Sequence, residues 1–412
     1  MDNQQFDLFG PDFKANPYPT YAAMRQTQPL CQREAANGKS IWFVTRYADV
    51  AAILRDSARF VKNVQNTMTA DERATLPPVP PLIGLLSNHM LNLDAPDHTR
   101  LRTLVNKAFT TTVVNQMAGR IQTRADQLLD KVQARGAMDL INEYAYPLPI
   151  HVIAELLGVP ARDQHRFRQW SDVFVTPSVN IHRQTKKYLK TKQLMEDFTA
   201  YFRQIFAERR LKPKEDLITL LLQAEEQGDK LSEEELFSMM ILLIVAGHET
   251  VVDLISNGIF ALLQQPAMLA QLQHQPEQLE AAIEEMVRYD GPVERATMRF
   301  AAQDVEMNGH LIRCGDAISL VLAAADRDPE QFTKPDTFDP MRPNNRHLGF
   351  GLGIHYCLGA SLGRLEGRIA ISTLIHRLPN LRLAAPAEAV KWRNGPIGRG
   401  WQQMPGVGDH SE

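Results

Sequence analysis

Cysteine is scarce in this chain of 412 residues, which contains only Cys31, Cys314 and Cys357. Three widely separated cysteines form neither a disulfide framework nor the cysteine cluster of a zinc or iron–sulfur site. A strong charge of either sign is also lacking, because 45 basic and 48 acidic residues leave a net charge of −3. This balance gives no indication of a nucleic-acid partner.

Long hydrophobic runs and targeting segments are lacking as well. Residues 1–5 have neither the basic region nor the apolar stretch of a signal peptide. The longest uncharged apolar run, 236–247, is shorter than the about 20 residues that cross a bilayer, and we interpret it as a buried helix. We therefore expect a cytoplasmic protein that does not enter a membrane. No linker, low-complexity tract or repeat divides the sequence, so residues 1–412 are expected to form a single domain.

Helical periodicity is the dominant pattern in the sequence. It predicts helices at 47–56, 113–134, 149–157, 162–174 and 185–210. Alternating or β-rich stretches predict strands at 41–45, 311–313 and 317–321. Residues 61–92 lose this periodicity and are rich in proline, which favours a long irregular segment of functional or mobile character. The class is therefore mainly α with a minor β region.

Cys357 lies in the glycine-rich stretch 350–359, Phe-Gly-Leu-Gly-Ile-His-Tyr-Cys-Leu-Gly. Gly351, Gly353 and Gly359 permit backbone angles that other residues avoid, so the loop can fold tightly around the sulfur. A helical pattern over 358–378 places Cys357 at a helix N-terminus, where the dipole and the N–H groups stabilise a thiolate. We interpret Cys357 as the axial ligand of a haem iron. The alternative is a buried structural cysteine in a tight turn.

A second unusual stretch, Ala-Gly-His-Glu-Thr at 246–250, lies inside the apolar helix pattern. Ser232 and Glu235 form a capping box that should begin this long helix. Gly247 destabilises a helix by about 1 kcal/mol relative to alanine, and Thr250 can donate back to the carbonyl of Ala246. The helix is therefore expected to be distorted here, either to make room for a ligand or through packing alone.

The stretch 94–102 carries a pair of basic side chains on one predicted helix. Asp94 is the expected cap of this helix and Pro96 is expected in its first turn. His98 and Arg102 are four residues apart, so they share a face and can hold a pair of carboxylates. A solvated basic face is the alternative, and Arg100 is expected at the surface.

Together these stretches resemble a known family. The pattern Phe350-x-x-Gly353-x-His355-x-Cys357-x-Gly359 resembles the haem-binding signature of the cytochrome P450 monooxygenases at every defined position. The His-x-x-x-Arg, Ala-Gly-x-Glu-Thr and Glu-x-x-Arg stretches resemble three further motifs of that family, in its order. The resemblance covers essentially the whole chain. It implies the cytochrome P450 fold, with haem b buried between the oxygen-activation helix and the cysteine loop.

The resemblance also implies a role for individual residues. Cys357 would be the axial thiolate, and Glu249 and Thr250 would deliver protons during oxygen activation. The implied contacts of the haem and its propionates are His98, Arg102, Ala246, Gly247, Arg299, Phe350, His355 and Gly359. Arg295 is the less favoured alternative to Arg299, and His248 receives no catalytic role. Glu285, Arg288 and Arg342 would form a structural triad that holds the cysteine loop.

The resemblance further implies partners and alternatives. We see no flavin or nicotinamide domain, so a ferredoxin or flavodoxin with its NAD(P)H-dependent reductase should supply electrons. The candidate contacts of that partner are Arg342, Arg346 and Arg364. The substrate with O2 should be a largely apolar small molecule beside Leu242, Val245 and Thr297, with residues 61–92 and the break at 177–180 around the pocket. A peroxide-driven peroxygenase or a non-catalytic haem sensor remains as the alternative, although members of these classes have less need of Glu249 and Thr250.

Overall fold

The structure is a computed structural model that describes residues 6–35, 38–79, 81–175, 186–226, 228–393 and 398–408. Its α-helices, in chain order, are α1 (Pro11–Ala15), α2 (Tyr18–Thr27), α3 (Tyr47–Arg55), α4 (Ala70–Ala74), α5 (Pro81–Ser87), α6 (Asp97–Ala108), α7 (Thr111–Gln116), α8 (Ala118–Gln133), α9 (Pro147–Leu156), α10 (Gln164–Val175), α11 (Lys186–Leu211), α12 (Leu217–Gln223), α13 (Glu233–Gly247), α14 (Glu249–Leu263), α15 (Pro266–His274), α16 (Leu279–Tyr289), α17 (Leu322–Ala325) and α18 (Ala360–Arg377).

The strands are short and few by comparison. They are β1 (Leu30–Glu34), β2 (Ser40–Val44), β3 (Phe60–Val61), β4 (Ala137–Asp139), β5 (Glu225–Glu226), β6 (Asp229–Lys230), β7 (Arg299–Ala301), β8 (Val305–Met307), β9 (His310–Ile312), β10 (Ala317–Leu320), β11 (Arg382–Leu383) and β12 (Pro405–Val407). The largest sheet has the order β1-β2-β10-β7-β3, with β10 parallel to β2 and antiparallel to β7. The predicted class, mainly α with a minor β region, is confirmed.

Two local predictions differ from the structure. Residues 61–92 are not irregular throughout, because they include α4, α5 and two short 3-10 turns. Asp94 is not the cap of α6: the helix begins after Pro96 and has no side-chain capping bond, while the carbonyl of Asp94 accepts the N–H of His98. The predicted break at 177–180 lies outside the described residues.

The chain divides into two compact units. The first unit comprises Met1–Ala74, Ala118–Tyr146 and Thr250–Glu412, and the second comprises Thr75–Met117 and Pro147–Glu249. In the first unit, the largest sheet and α3 share a hydrophobic core that includes Trp42, Ile53, Phe60, Ile318 and Leu348. That the chain is a single domain stays a prediction.

The second unit has an aromatic core around Trp170 of α10. Phe198 of α11 meets this indole edge to face at a ring-centroid distance of 5.5 Å, and Phe202 lies 5.9 Å away. Such aromatic pairs add to the stabilisation from their buried area. They fix α10 against α11, and α10 also carries the buried Ser171.

The apolar stretch that contains residues 246–250 is long but mostly covered. Glu233–Leu263 is, within the described residues, the one helical stretch long and apolar enough to cross a membrane, and 72% of its most apolar window is buried. The predicted capping box is confirmed, because Glu235 N–H donates to Ser232 Oγ and Ser232 N–H donates to Glu235 Oε2. The stretch Glu233–Leu263 is therefore buried as a core helix is, as the sequence predicts.

Candidate active site

The cysteine loop ends at an accessible thiol. Gly351 N–H donates to the carbonyl of Leu348 at 2.7 Å, and Cys357 N–H donates to the carbonyl of Phe350 at 2.9 Å. Cys357 is exposed, whereas Cys31 is buried, so the alternative of a buried structural cysteine at position 357 is wrong. The first residue of α18, Ala360, follows three residues later. The sulfur therefore lies close to a helix N-terminus, where a thiolate is favoured.

Gly353 shows why the loop needs glycine. Its φ of +72° lies in the left-handed region, and a Cβ there would sit 2.4 Å from the carbonyl oxygen of Leu54 in α3. The loop therefore rests directly on the backbone of α3. Gly351 also has a positive φ of 70°, but Gly359 has a φ of −85°, so the expected special conformation of Gly359 is wrong. Gly359 instead precedes α18 as its N-cap.

A buried ion cluster anchors the segment that leads into the loop. The Glu285 carboxylate accepts two hydrogen bonds from Arg288, at 2.7 and 2.8 Å, and Arg342 Nε lies 3.2 Å from it. Glu285 and Arg288 have no exposed side-chain surface, and the Arg342 side chain is 6% exposed. Asp339 N–H and Asn345 Nδ2 also donate to Glu285. The predicted triad is confirmed.

This geometry changes the expected partner contacts. Arg342 is buried in the triad and cannot meet an acidic partner, so that prediction is wrong. Arg364 bonds to Glu284 through Nε and Nη2, and its guanidinium lies 4.2 Å from the ring centroid of Phe350. Although burial would raise the pKa of Glu284, hydrogen bonds from Arg364 and His347 lower it to about 2. Arg346 is exposed and remains a candidate contact.

Asp326 holds the start of the same loop. Its carboxylate accepts the N–H of Leu348 at 2.7 Å, and its carbonyl accepts Arg288 Nη1. Burial raises the pKa of Asp326 to about 7, against the opposing effects of His347, the Leu348 N–H and Arg288. The Leu348 bond and the triad therefore fix the loop from two sides.

Strand β7 positions one predicted cofactor contact. Arg299 is 3% exposed, its Nη1 donates to the carbonyl of Thr297, and it pairs with Ile318 of β10 in the sheet register. Arg295 lies instead among aromatic rings, 5.4 Å from the centroid of Phe43, and forms an ion pair with Glu294. Arg295 is thus engaged by aromatic rings and an acid, and the choice of Arg299 as the cofactor contact stays a prediction.

The predicted distortion of the apolar helix falls at His248, between α13 and α14. His248 has φ −119° and ψ −50°, and its Nδ1 lies 2.9 Å from the carbonyl oxygen of Ile244. Ala246 is exposed, although residues 236–244 are buried. A Cβ on Gly247 would lie 3.1 Å from Ile153 of α9, so this glycine allows two helices to pack closely. The role of Gly247 beside a ligand stays a prediction.

Helix α6 carries the second unit's basic pair. His98 is 2% exposed, and Arg102 Nε donates to Asn106 one turn later. Arg100, expected at the surface, has a side chain that is 34% exposed, and it also pairs with Asp229 and with Glu235, the acid of the capping box. The local helix spacing could not reveal this contact, because its partners lie more than a hundred positions away.

The predicted site residues fall into two groups. The first unit contains Thr250, Arg299, Phe350, His355, Cys357 and Gly359, and the second contains His98, Arg102, Ala246, Gly247 and Glu249. Within the first unit, Leu348 and Leu352 of the cysteine loop pack into the core that also contains Ala301 of β7. The loop and the strand of Arg299 therefore share one rigid support.

Sequence reasoning missed some residues around this site. Asp253 is a carboxylate within an otherwise apolar turn of α14, and it is 2% exposed and bonded to Arg393 at 3.0 Å. An isolated acid in an apolar helix pattern could have predicted a buried, paired carboxylate. Asp326 gave no comparable signal, because its burial depends on distant segments.

Comparison with known proteins agrees with this geometry. The family model described as Cytochrome P450 matches residues 150–380. The polyketide biosynthesis cytochrome P450 PksS of Bacillus subtilis is 39% identical over 98% of this chain and 99% of its own, and its solved structure has a TM-score of 0.90. The cytochrome P450 monooxygenase PikC of Streptomyces venezuelae is 42% identical over 96% of this chain and 92% of its own. A myxobacterial cytochrome P450, CYP267B1, in complex with myristic acid is 41% identical, with a TM-score of 0.87 over 98% of this chain and 99% of its own.

The fold and the matches define a haem-dependent oxidoreductase. The chain belongs to the cytochrome P450 family and is a monooxygenase of that family. Family members carry a haem with a cysteine thiolate ligand. The residues of the first unit fit such a group, because they combine an accessible thiol beside a helix N-terminus with the buried cationic side chain of Arg299.

Proposed function

We propose that Cys357 is the axial thiolate of haem b in this monooxygenase. The observation that carries the proposal is the exposed sulfur at the end of a loop fixed by α3, Asp326 and the Glu285 triad. His98, Arg102, Arg299 and His355 would supply hydrogen bonds and positive charge to the two propionates. Ala246, Gly247, Phe350 and Gly359 would contact the macrocycle.

When bound, a thiolate-ligated haem activates dioxygen and transfers one oxygen atom to a substrate carbon. The chain's own residues orient the substrate and supply protons. Glu249 and Thr250 begin α14 immediately after the helix break, so their side chains lie where the regular main-chain ladder is interrupted. We assign them the proton transfer, with Thr250 Oγ1 as the hydroxyl that passes the proton on.

The proposed substrate is a largely apolar small molecule that the enzyme hydroxylates or epoxidises. The predicted pocket positions carry mostly apolar side chains: Leu242 is buried, and Val245 and Thr297 are partly exposed. The names of the relatives support this class, because PksS acts in polyketide biosynthesis and CYP267B1 binds myristic acid. We also propose a cytoplasmic location, without nucleic-acid or membrane partners.

Electrons would come from a ferredoxin or flavodoxin with an NAD(P)H-dependent reductase. The test is to supply the purified, haem-loaded enzyme with such a pair, or with hydrogen peroxide, and to measure product from a panel of fatty acids, terpenoids, steroids and macrolides. Product that depends on NAD(P)H and both proteins supports the proposal. Product from peroxide alone, with none from the electron-transfer pair, would instead identify a peroxygenase.

Thr250→Ala tests the proton assignment separately. It should retain haem and substrate but lower the product formed per NAD(P)H consumed by about tenfold or more. Thr373→Ala is the control, since Thr373 is a buried threonine of α18 whose hydroxyl donates to the carbonyl of Ile369 at 2.7 Å. Unchanged coupling in Thr250→Ala would refute the role of Thr250.

A further inference from the structure

The imidazole of His248 occupies a particular place in the helix break. In a continuous helix, the carbonyl of Ile244 accepts the backbone N–H of residue 248. Here His248 Nδ1 lies 2.9 Å from that carbonyl oxygen. A side chain that enters the i→i−4 ladder is a recognised cause of sharp helix kinks. The His248 ring is therefore placed to define where α13 ends and α14 begins.

The same contact fixes the tautomer of the ring. A carbonyl oxygen only accepts hydrogen bonds, so Nδ1 must carry the proton that it donates to Ile244. In the neutral imidazole, Nε2 is then an acceptor. The ring is 2% exposed, so its contacts are made with neighbouring groups of the protein.

Ser171 of α10 packs against the ring. Its hydroxyl oxygen lies 3.3 Å from each ring nitrogen, and the side chain is fully buried. An oxygen equidistant from the two nitrogens at this distance lies over the face of the ring, so the hydroxyl holds the ring by contact and leaves the Nδ1 proton to Ile244. Ser171 follows Trp170 directly, and the aromatic core around Trp170 fixes this part of α10. The ring thus joins the break to a rigidly packed helix within the second unit.

We propose that His248 is a positioning residue for the oxygenation reaction. Its bond to Ile244 holds the helix break, and its contact with Ser171 holds the ring. The break in turn sets the direction in which the side chains of Glu249 and Thr250, the next two residues along the chain, point. This inference rests on the proton-transfer role proposed for those two residues.

Four substitutions, three of them at His248, separate the two contacts of the ring. His248→Asn keeps an amide nitrogen as many bonds from Cα as Nδ1, so it can still donate to Ile244. His248→Gln places its amide at the distance of Nε2 and can keep only the Ser171 contact. His248→Leu removes both, and Ser171→Ala removes the hydroxyl over the ring without changing the ring.

The experiment measures product per NAD(P)H and amide hydrogen exchange of residues 244–252 in the holoenzyme. The Leu and Gln variants should form roughly fivefold less product per NAD(P)H, and the amides after the break should exchange roughly fivefold faster. Both changes are the size expected from the loss of one hydrogen bond. The Asn variant should stay within about twofold of the natural enzyme, because the same bond is retained. Ser171→Ala should likewise stay within about twofold of the natural enzyme, because it leaves the bond to Ile244 in place.

Two results would overturn the inference. One is equal coupling in all His248 variants, including the case in which only their melting temperatures fall. The other is an equal loss of product per NAD(P)H in the Asn and Leu variants, which would show that the bond to Ile244 does not position the reaction. Failure of the proposed function is distinguishable, because the natural enzyme would then lack NAD(P)H-dependent product while the exchange comparison still reports on the break.

Discussion

At the scale of single residues, burial raises the pKa of the Asp326 carboxyl group. The carboxyl group is buried beside Glu285 and Arg288, and its pKa rises to about 7 from 3.8 in the unfolded chain. The folded protein therefore binds this proton more tightly than the unfolded protein does. Protonation of Asp326 favours folding, so its contribution is complete below pH 3.8 and is lost as the pH rises through about 7.

Asp326→Asn should remove this pH dependence. The asparagine side-chain oxygen can still accept the Leu348 N–H, but it does not titrate. The melting temperature of the natural protein should fall relative to that of the variant between pH 5.5 and pH 8, as measured by thermal unfolding across that range. Parallel curves for the two proteins would contradict the raised pKa, since all other titrations cancel in the difference.

Gly353 illustrates how one residue can be fixed by both conformation and space. Gly353→Ala introduces a side chain at a φ of +72° and places its Cβ 2.4 Å from the Leu54 oxygen. Gly309→Ala is the matched control, because Gly309 has a φ of +77° but open space around it. We expect the control to lose about 1 kcal/mol of unfolding free energy and Gly353→Ala to lose clearly more. Equal losses of unfolding free energy in the two variants, measured by chemical unfolding, would show that the contact with α3 does not contribute to stability.

At the scale of elements, the Glu285 triad joins α16 to the segment before the cysteine loop. Glu285→Gln would leave Arg288 and Arg342 buried without a carboxylate. Breaking a buried pair in this way typically costs about 3–5 kcal/mol. The variant should therefore unfold at lower denaturant concentration and release haem more readily, as followed by absorbance during the titration.

Glu280→Gln is the control for the triad. It removes the same charge from an exposed position of α16 and should leave the unfolding midpoint unchanged. A Glu285 variant that unfolds like this control would contradict the anchoring role of the triad. A variant that unfolds early but retains haem normally would limit that role to α16 itself.

Elements were predictable from sequence where the signal is local. The capping box of α13 and the helix that follows Cys357 depend on residues within a few positions of one another, and both are present in the structure. The triad was predictable only through the family resemblance, because Arg342 is 57 positions from Glu285. Arg100, expected at the surface, shows the limit: its partner Glu235 is 135 positions away, and no periodicity indicates such a contact.

At the scale of the whole molecule, the order of four separated motifs was enough to predict the fold and the enzyme class. The motifs could not predict how each side chain is engaged. Arg342 matched a motif yet was also expected to meet a partner protein, and burial excludes the second role. His248 was set aside because its position in the motif is undefined, whereas the packing of α10 gives it specific contacts. Such contacts depend on the assembled fold rather than on spacing along the chain.

The central claim is the bond between the sulfur of Cys357 and a haem iron. The most direct measurement is the absorption spectrum of the folded, haem-loaded protein after reduction and addition of carbon monoxide. We predict the strongly red-shifted Soret band that thiolate ligation produces, and its loss in Cys357→Ser. A natural protein that holds haem but never shows this band, or a Cys357→Ser variant that keeps it, would contradict the assignment.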